Sequence, residues 1–301
     1  MQGLEKFEAG LWKIPDNLRA NSNLASNEYF MPIMGLIFLR HATNRFYEAR
    51  TAIEADKKAG KMPDRPLVEA DFTRRRALNL PEAARFDVIL KTPKDGNLGA
   101  ALTAAMEAIE AAFPPLAGQL PKDYGRFEGS VLEEMMRMFD AEGLRSASGD
   151  VFGRIYEYFL AEFSKQGAHD GGEFFTPPSI VQTIVNVIEP DHGVILDPAC
   201  GSGGMFVQSS HFIEDEGQDT MKRVTFYGHE KNETTAKLAQ INLAVHGLQG
   251  TIRAGNEAIT YYKDPHELVG KCDFVMANPP FNVDEVDAEK VKGDKRLPFG
   301  L

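Results

Sequence analysis

Four residues near the C-terminal end, Asn278-Pro279-Pro280-Phe281, have the composition of a grip for a flat ring that carries an amino group. They follow an apolar run, Cys272 to Ala277, that reads as a buried strand. An asparagine and two prolines directly after such a strand hold an amide side chain and a backbone carbonyl at the lip of a sheet, with an aromatic ring beside them. That set suits gripping an exocyclic amino group while stacking its ring, the task of an amino-methyltransferase acting on a flipped-out base. The Asn278 side-chain oxygen and the Pro279 carbonyl would each accept one amino hydrogen. The nitrogen lone pair is thereby localised for in-line attack on a methyl donor. Positioning and charge stabilisation then carry the chemistry, with no nucleophilic residue and no metal required. Phe281 reads either as the stacking ring, worth about 1–3 kcal/mol per base, or as a core aromatic.

The methyl donor is suggested by a second stretch, Asp197-Pro198-Ala199-Cys200-Gly201-Ser202-Gly203-Gly204. A glycine-rich turn between a strand and a helix lets a ligand approach the backbone closely. A nicotinamide site would show Gly-x-Gly-x-x-Gly and bind a pyrophosphate. Here Phe206 occupies the last glycine position, and Asp197 disfavours a neighbouring pyrophosphate. An acid at that point suits a cation. S-adenosylmethionine has the complement: a sulfonium, an ammonium and no phosphate. Glu230, ending the next strand, can accept both ribose hydroxyls or can be a surface acid. Asn256, after the third strand, either touches the adenine ring or is a turn residue of Gly255-Asn256.

The elements that must position these groups fall into two patterns. Residues 1–150 read as a helical domain. Leu36, Phe38, Leu39, Phe46 and Tyr47 recur at near-helical spacing, Ala100 to Phe113 is stopped by Pro114-Pro115, and Ser130 with Glu133 forms a capping box for a helix beginning at Gly129. Residues 151–301 alternate strands and helices. Val151 to Lys165 is an amphipathic helix, Pro177-Pro178 opens the helix Ser179 to Ile188, and Val194-Leu196 is a strand before the glycine loop. Val224-Tyr227, Gly250-Arg253 and Asp273-Met276 are further strands, and Thr234 to His246 is a helix closed by Gly247. The fold class expected is α/β: a doubly wound, Rossmann-like parallel sheet behind an all-α N-terminal domain. Ligands then sit at the carboxyl ends of the strands.

Bulk properties narrow the setting. With 301 residues the chain has room for two cores, and 43% hydrophobic with 26% charged residues is ordinary for a globular protein. Two cysteines, Cys200 and Cys272, exclude a disulfide framework and point to the cytoplasm. The longest apolar stretch, Tyr29 to Leu39, contains Pro32 and Gly35 and is too short to span a membrane. The net charge of −11 argues against a protein that clamps DNA alone. Arg74-Arg75-Arg76 reads as a solvated helix or turn surface rather than a DNA contact, so a partner subunit should supply much of the grip.

Taken in order, Gly172-Glu173-Phe174-Phe175-Thr176-Pro177, the Asp197 to Gly204 loop and Asn278-Pro279-Pro280-Phe281 resemble the amino-methyltransferases of type I restriction-modification systems, specifically their modification subunit. The N-terminal half is similar too, in Leu11-Trp12-Lys13, Leu18-Arg19, Leu36-Ile37-Phe38-Leu39-Arg40 and Gly153 to Leu160. The resemblance implies that Glu173, Phe174, Phe175, Thr176, Pro177 and Pro178 line the methionine end of the cofactor. It implies that Gly201, Ser202, Gly203 and Gly204 cradle its body with Asp197 behind them, and that Glu230 holds the ribose. It further implies N6 methylation of adenine in double-stranded DNA. The complex would contain a specificity subunit and a second modification subunit, to which restriction subunits can be added. The family's sheet continues past this motif with more strands than the four the sequence presents, so a C-terminally incomplete sheet is expected. Two rival readings use the same grip and loop: methylation of cytosine N4 or of a glutamine amide, and a non-catalytic cofactor-binding assembly module.

Overall fold

The computed structural model describes residues 10–13, 15, 16, 18, 25–93, 96–166, 175–280 and 286–297. Its contacts divide the chain into a unit of residues 1–169 with 245–247 and a unit of residues 170–244 with 248–301.

The first unit is helical. Its longest element, α1 (Ser26–Lys58), buries Tyr29, Phe30, Ile33, Met34, Leu36, Ile37, Phe38 and Leu39 almost completely. Pro32 sits inside α1, and the Tyr124 hydroxyl donates to its carbonyl at 3.1 Å. α2 (Leu98–Ala112) starts at Asn97, whose side-chain oxygen accepts from the Ala100 amide at 2.9 Å. Its buried residues Leu102, Ala105, Met106 and Ile109 follow the i, i+3, i+4, i+7 spacing of one helical face. α3 (Gly129–Phe139) buries Leu132, Met135, Met136 and Phe139. The expected capping box at Ser130 does not form. Glu128 is the cap residue, so Ser130 already lies in the first helical turn and makes no side-chain cap. α4 (Gly149–Lys165) packs on α1 through Phe152, Ile155, Tyr156, Phe159 and Phe163, all fully buried. The Phe163 ring lies 4.8 Å from Phe30 and 4.9 Å from Trp12, centroid to centroid. Arg75 of the basic triplet pairs with Asp56 and donates to the Asp71 carbonyl at 3.0 Å, so it ties this unit together.

The second unit is built on a parallel sheet. α5 (Pro178–Ile188) begins with Pro178 in its first turn, where the missing N–H costs nothing. Then follow β1 (Gly193–Asp197), α6 (Gly204–Asp215), β2 (Val224–Glu230), α7 (Glu233–Val245), β3 (Gly250–Ala254) and β4 (Phe274–Val275). The order across the sheet is β3-β2-β1-β4, with all pairs parallel. Ile195, Phe226 and Met276 of the sheet pack with Val181, Val185, Met205, Phe206, Ala239 and Leu243 of the helices. Phe206 and Phe226 meet with ring centroids 5.1 Å apart.

β4 is shorter than expected. Only Phe274 and Val275 pair with β1, opposite Ile195 and Leu196, and Val275 is 56% exposed. The strand lies at the sheet edge, so only its inner neighbour covers it, and the prolines after Asn278 have no N–H to extend the ladder. Flanking bonds lengthen the junction. The Met276 amide donates to the Leu196 carbonyl at 3.0 Å, and the Asp273 carboxylate accepts from the Val194 amide at 2.7 Å. Gly193 has φ +70°, and a β-carbon there would lie 2.0 Å from that carboxylate. A side chain at 193 would therefore be strained by the backbone and would displace the Asp273 carboxylate.

Candidate active site

The strand order puts β1 between β2 and β4, so the chain leaves β1 toward one side of the sheet and reaches β4 on the other. Such a reversal opens a crevice at the carboxyl ends of the strands. Asp197 ends β1, Glu230 ends β2, Asn256 lies in the turn after β3, and Asn278 follows β4.

The loop from Pro198 to Gly203 is held from several directions. The Cys200 amide donates to the His229 carbonyl at 2.9 Å, and the Gly201 amide donates to Glu230 Oε2 at 3.1 Å. Asn242 of α7 donates from Nδ2 to the Ser202 carbonyl at 2.9 Å. Thr260 Oγ1 donates to the Pro198 carbonyl at 2.5 Å and lies 3.0 Å from His229 Nδ1. Gly201 and Gly203 have φ of +52° and +80°. At Gly203 a β-carbon would stand 3.4 Å from that of Ala239, an ordinary contact, so it is the left-handed turn that calls for glycine there.

The acids define the electrostatics. Asp197 is buried, and its Oδ1 accepts from the Ala199 amide at 3.0 Å. Burial, reinforced by the charge of Glu230, pushes its carboxyl up to about 7. Glu230 is half-buried. Its Oε1 accepts from the Asn232 amide at 2.8 Å while Oε2 accepts from the Gly201 amide. Burial pushes the Cys200 thiol well above its ordinary value, so it is a packed side chain and not a nucleophile. Burial, and then the neighbouring His266, lower His229 to about 4, which keeps that ring neutral.

After β4, Asn278 is half-buried and its Nδ2 donates to Thr176 Oγ1 at 3.0 Å. This bond joins the segment before α5 to the residue after β4. Phe175 is half-buried, and Pro177, Pro279 and Pro280 are exposed. Asn256 is exposed in the turn Gly255–Ala258. Glu173, Phe174 and Phe281 lie outside the described residues. Sequence reasoning did not single out Asn242, Thr260 or His229. The one available signal was Asn242, a polar residue between Ile241 and Leu243 in α7.

Comparison with known proteins bears on this geometry. The family described as N-6 DNA Methylase matches residues 147–300, which takes in the glycine loop, both acids and Asn278. The chain belongs to the N-6 DNA methylase family. The HsdM N-terminal domain matches residues 7–139, the helical part of this family member. The MjaIX type I restriction enzyme methylase subunit of Methanocaldococcus jannaschii is 34% identical over 98% of this chain and 54% of its own length. The HindI methylase subunit of Haemophilus influenzae is 39% identical over 54% of this chain and 36% of its own length. This N-6 DNA methylase chain thus spans about half the length, or less, of these two relatives. The crystal structure of a type I restriction-modification methyltransferase subunit from Streptococcus thermophilus superposes with a TM-score of 0.75 at 19% identity. The match covers 98% of this chain and 67% of that one, and supports the fold. Among the described residues, no helix is long and apolar enough to cross a membrane.

Proposed function

We propose that this chain is the methylation subunit of a type I restriction-modification system and transfers a methyl group to N6 of a flipped adenine in double-stranded DNA. The observation that carries the reading is the amide of Asn278, held by Thr176 after β4, at the same carboxyl-end edge of the sheet as the two acids that end β1 and β2. S-adenosylmethionine, when bound, supplies an electrophilic methyl on a cationic sulfur. The residues fit such a ligand. Asp197 and Glu230 favour a cation, and the side chains that brace the loop, Glu230, Asn242 and Thr260, bring no positive charge for a pyrophosphate. Gly201, Ser202, Gly203 and Gly204 would face the body of the cofactor, and the Glu230 carboxylate, at the end of β2, would take the ribose hydroxyls. The stretch from Glu173 to Pro178 would line its methionine end, and Asn256 its adenine.

Asn278 Oδ1 and the Pro279 carbonyl would accept the two amino hydrogens of adenine and turn the nitrogen lone pair toward the methyl group. Phe281 would stack on the extruded base, offsetting part of the few kcal/mol that flipping costs. The net charge of −11 leaves the reading of DNA sequence to a specificity subunit. A second copy of this chain and, in some assemblies, a restriction subunit complete the cytoplasmic complex. The test is incorporation of tritiated methyl groups into DNA by the chain assembled with its specificity subunit. Asn278→Ala should abolish transfer and leave cofactor binding nearly intact. Transfer that survives in Asn278→Ala refutes the mechanism, and label in cytosine or protein refutes the substrate.

A further inference from the structure

We propose that Thr176 is a positioning residue that holds the Asn278 amide in place for the substrate. The inference rests on the proposed methyl transfer and deepens it. A carboxamide has one accepting end and one donating end. An amino group of the substrate offers two hydrogens, so it is held only when Oδ1 is turned toward it. With the amide reversed, N–H groups face N–H groups and no bond forms.

Asn278 Nδ2 donates to Thr176 Oγ1 at 3.0 Å, which pins the amide and does not use Oδ1. Both partners sit on anchored backbone. Thr176 immediately precedes Pro177, whose carbonyl accepts from the Ile180 and Val181 amides at 3.0 and 3.2 Å, and Val181 is buried in the core. On the other side, Met276 is buried and its amide is bonded to Leu196 of β1. The hydroxyl therefore reaches Asn278 from a point that does not move with the β4 edge. This role is distinct from lining the methionine end of the cofactor, because the oxygen is turned to the amide.

Thr176→Val keeps the shape and removes the hydroxyl, and Thr176→Ser restores it. In the assembly with specificity subunit and DNA, Thr176→Val should lower the single-turnover methyl-transfer rate about tenfold, the scale of one lost neutral hydrogen bond. Its affinity for S-adenosylmethionine should stay within about twofold of the parent, and Thr176→Ser should recover the rate. A second readout needs no cofactor. In ¹⁵N spectra the side-chain amide pair of Asn278, identified by its loss in Asn278→Asp, should shift in Thr176→Val and return in Thr176→Ser. An unmoved amide pair overturns the proposal, as does a parental transfer rate in Thr176→Val. A loss of cofactor affinity that matches the loss of rate would make Thr176 a cofactor ligand and also overturn it. If the parent assembly transfers no methyl group but the amide pair still answers to Thr176→Val, the positioning contact stands and the proposed activity fails.

Discussion

Replacing Asp197 with asparagine should make the second unit more stable above neutral pH. The carboxyl is buried beneath the glycine loop, with one backbone donor and the charge of Glu230 nearby. Its value rises from 3.8 to about 7 on folding. Between those values the folded state holds a proton that the unfolded chain has released, so stability falls as pH rises through the window. At 1.36 kcal/mol per unit the loss is about 4 kcal/mol once pH exceeds the folded value, and roughly 2.5 kcal/mol of it falls between pH 5 and pH 8. Asparagine keeps an oxygen for the Ala199 amide and carries no charge. The difference in unfolding free energy, Asp197→Asn minus parent, should therefore climb by about 2.5 kcal/mol from pH 5 to pH 8. Any fixed cost of the new amide shifts that curve without tilting it. Urea titrations followed by far-ultraviolet circular dichroism measure the difference. Tryptophan fluorescence serves as the control, since the one tryptophan, Trp12, packs on Phe163 in the helical unit. A difference curve that stays flat from pH 5 to pH 8 would refute the view of Asp197 as a buried carboxylate held at a cost.

The same carboxylate predicts how cofactor binding responds to pH: affinity for S-adenosylmethionine, measured by calorimetry, should weaken about tenfold from pH 8 to pH 6 as Asp197 takes up a proton. In Asp197→Asn the affinity should be lower throughout and nearly independent of pH. Phe163→Ala, which removes the ring between Phe30 and Trp12, should destabilise the helical unit by about 3–5 kcal/mol, read by Trp12 fluorescence during denaturation. Arg75→Ala should cost about 1 kcal/mol of stability through its lost pair with Asp56 and leave DNA affinity of the assembly unchanged in a filter-binding assay.

What the sequence disclosed was the part of the site made by local pattern. Val194 to Leu196 is a short β-branched and aliphatic run ending in Asp-Pro, and the glycines after it have no other economical use, so strand, turn and helix follow from neighbours in the chain. The strand ends carrying Asp197, Glu230 and Asn278 were readable for the same reason. The bonds that stiffen the loop were not. Asn242 reaches Ser202 from another helix, Thr260 reaches Pro198 from beyond β3, and Thr176 meets Asn278 across 102 positions. No local periodicity encodes such pairs. β4 was overread because an apolar run is the same signal for a central strand and for an edge strand, and only the sheet order tells them apart. Ser130 was overread because serine is favoured at a helix cap, yet the helix gains one more turn residue from Gly129 and leaves Ser130 inside.

The two ends of the site divide the work by charge. On the β1 and β2 side, burial, and after it the charge of Glu230, pushes Asp197 up to about 7, an arrangement that costs stability above neutral pH. On the β4 side, Asn278 and Thr176 are neutral and face each other through a single hydrogen bond. A cation placed against Asp197 would offset the desolvation that disfavours its charged form, so ionising the carboxyl and binding a positively charged ligand would favour each other. A substrate amino group must stay uncharged to act as a nucleophile, and a neutral acceptor at β4 holds it without raising its affinity for a proton. If both acids stood beside Asn278, they would favour a protonated amine and block its attack. Under the proposed methyl transfer, the placement of acids and amide at the ends of different strands of one sheet would let a cationic donor and a neutral acceptor meet in the same crevice.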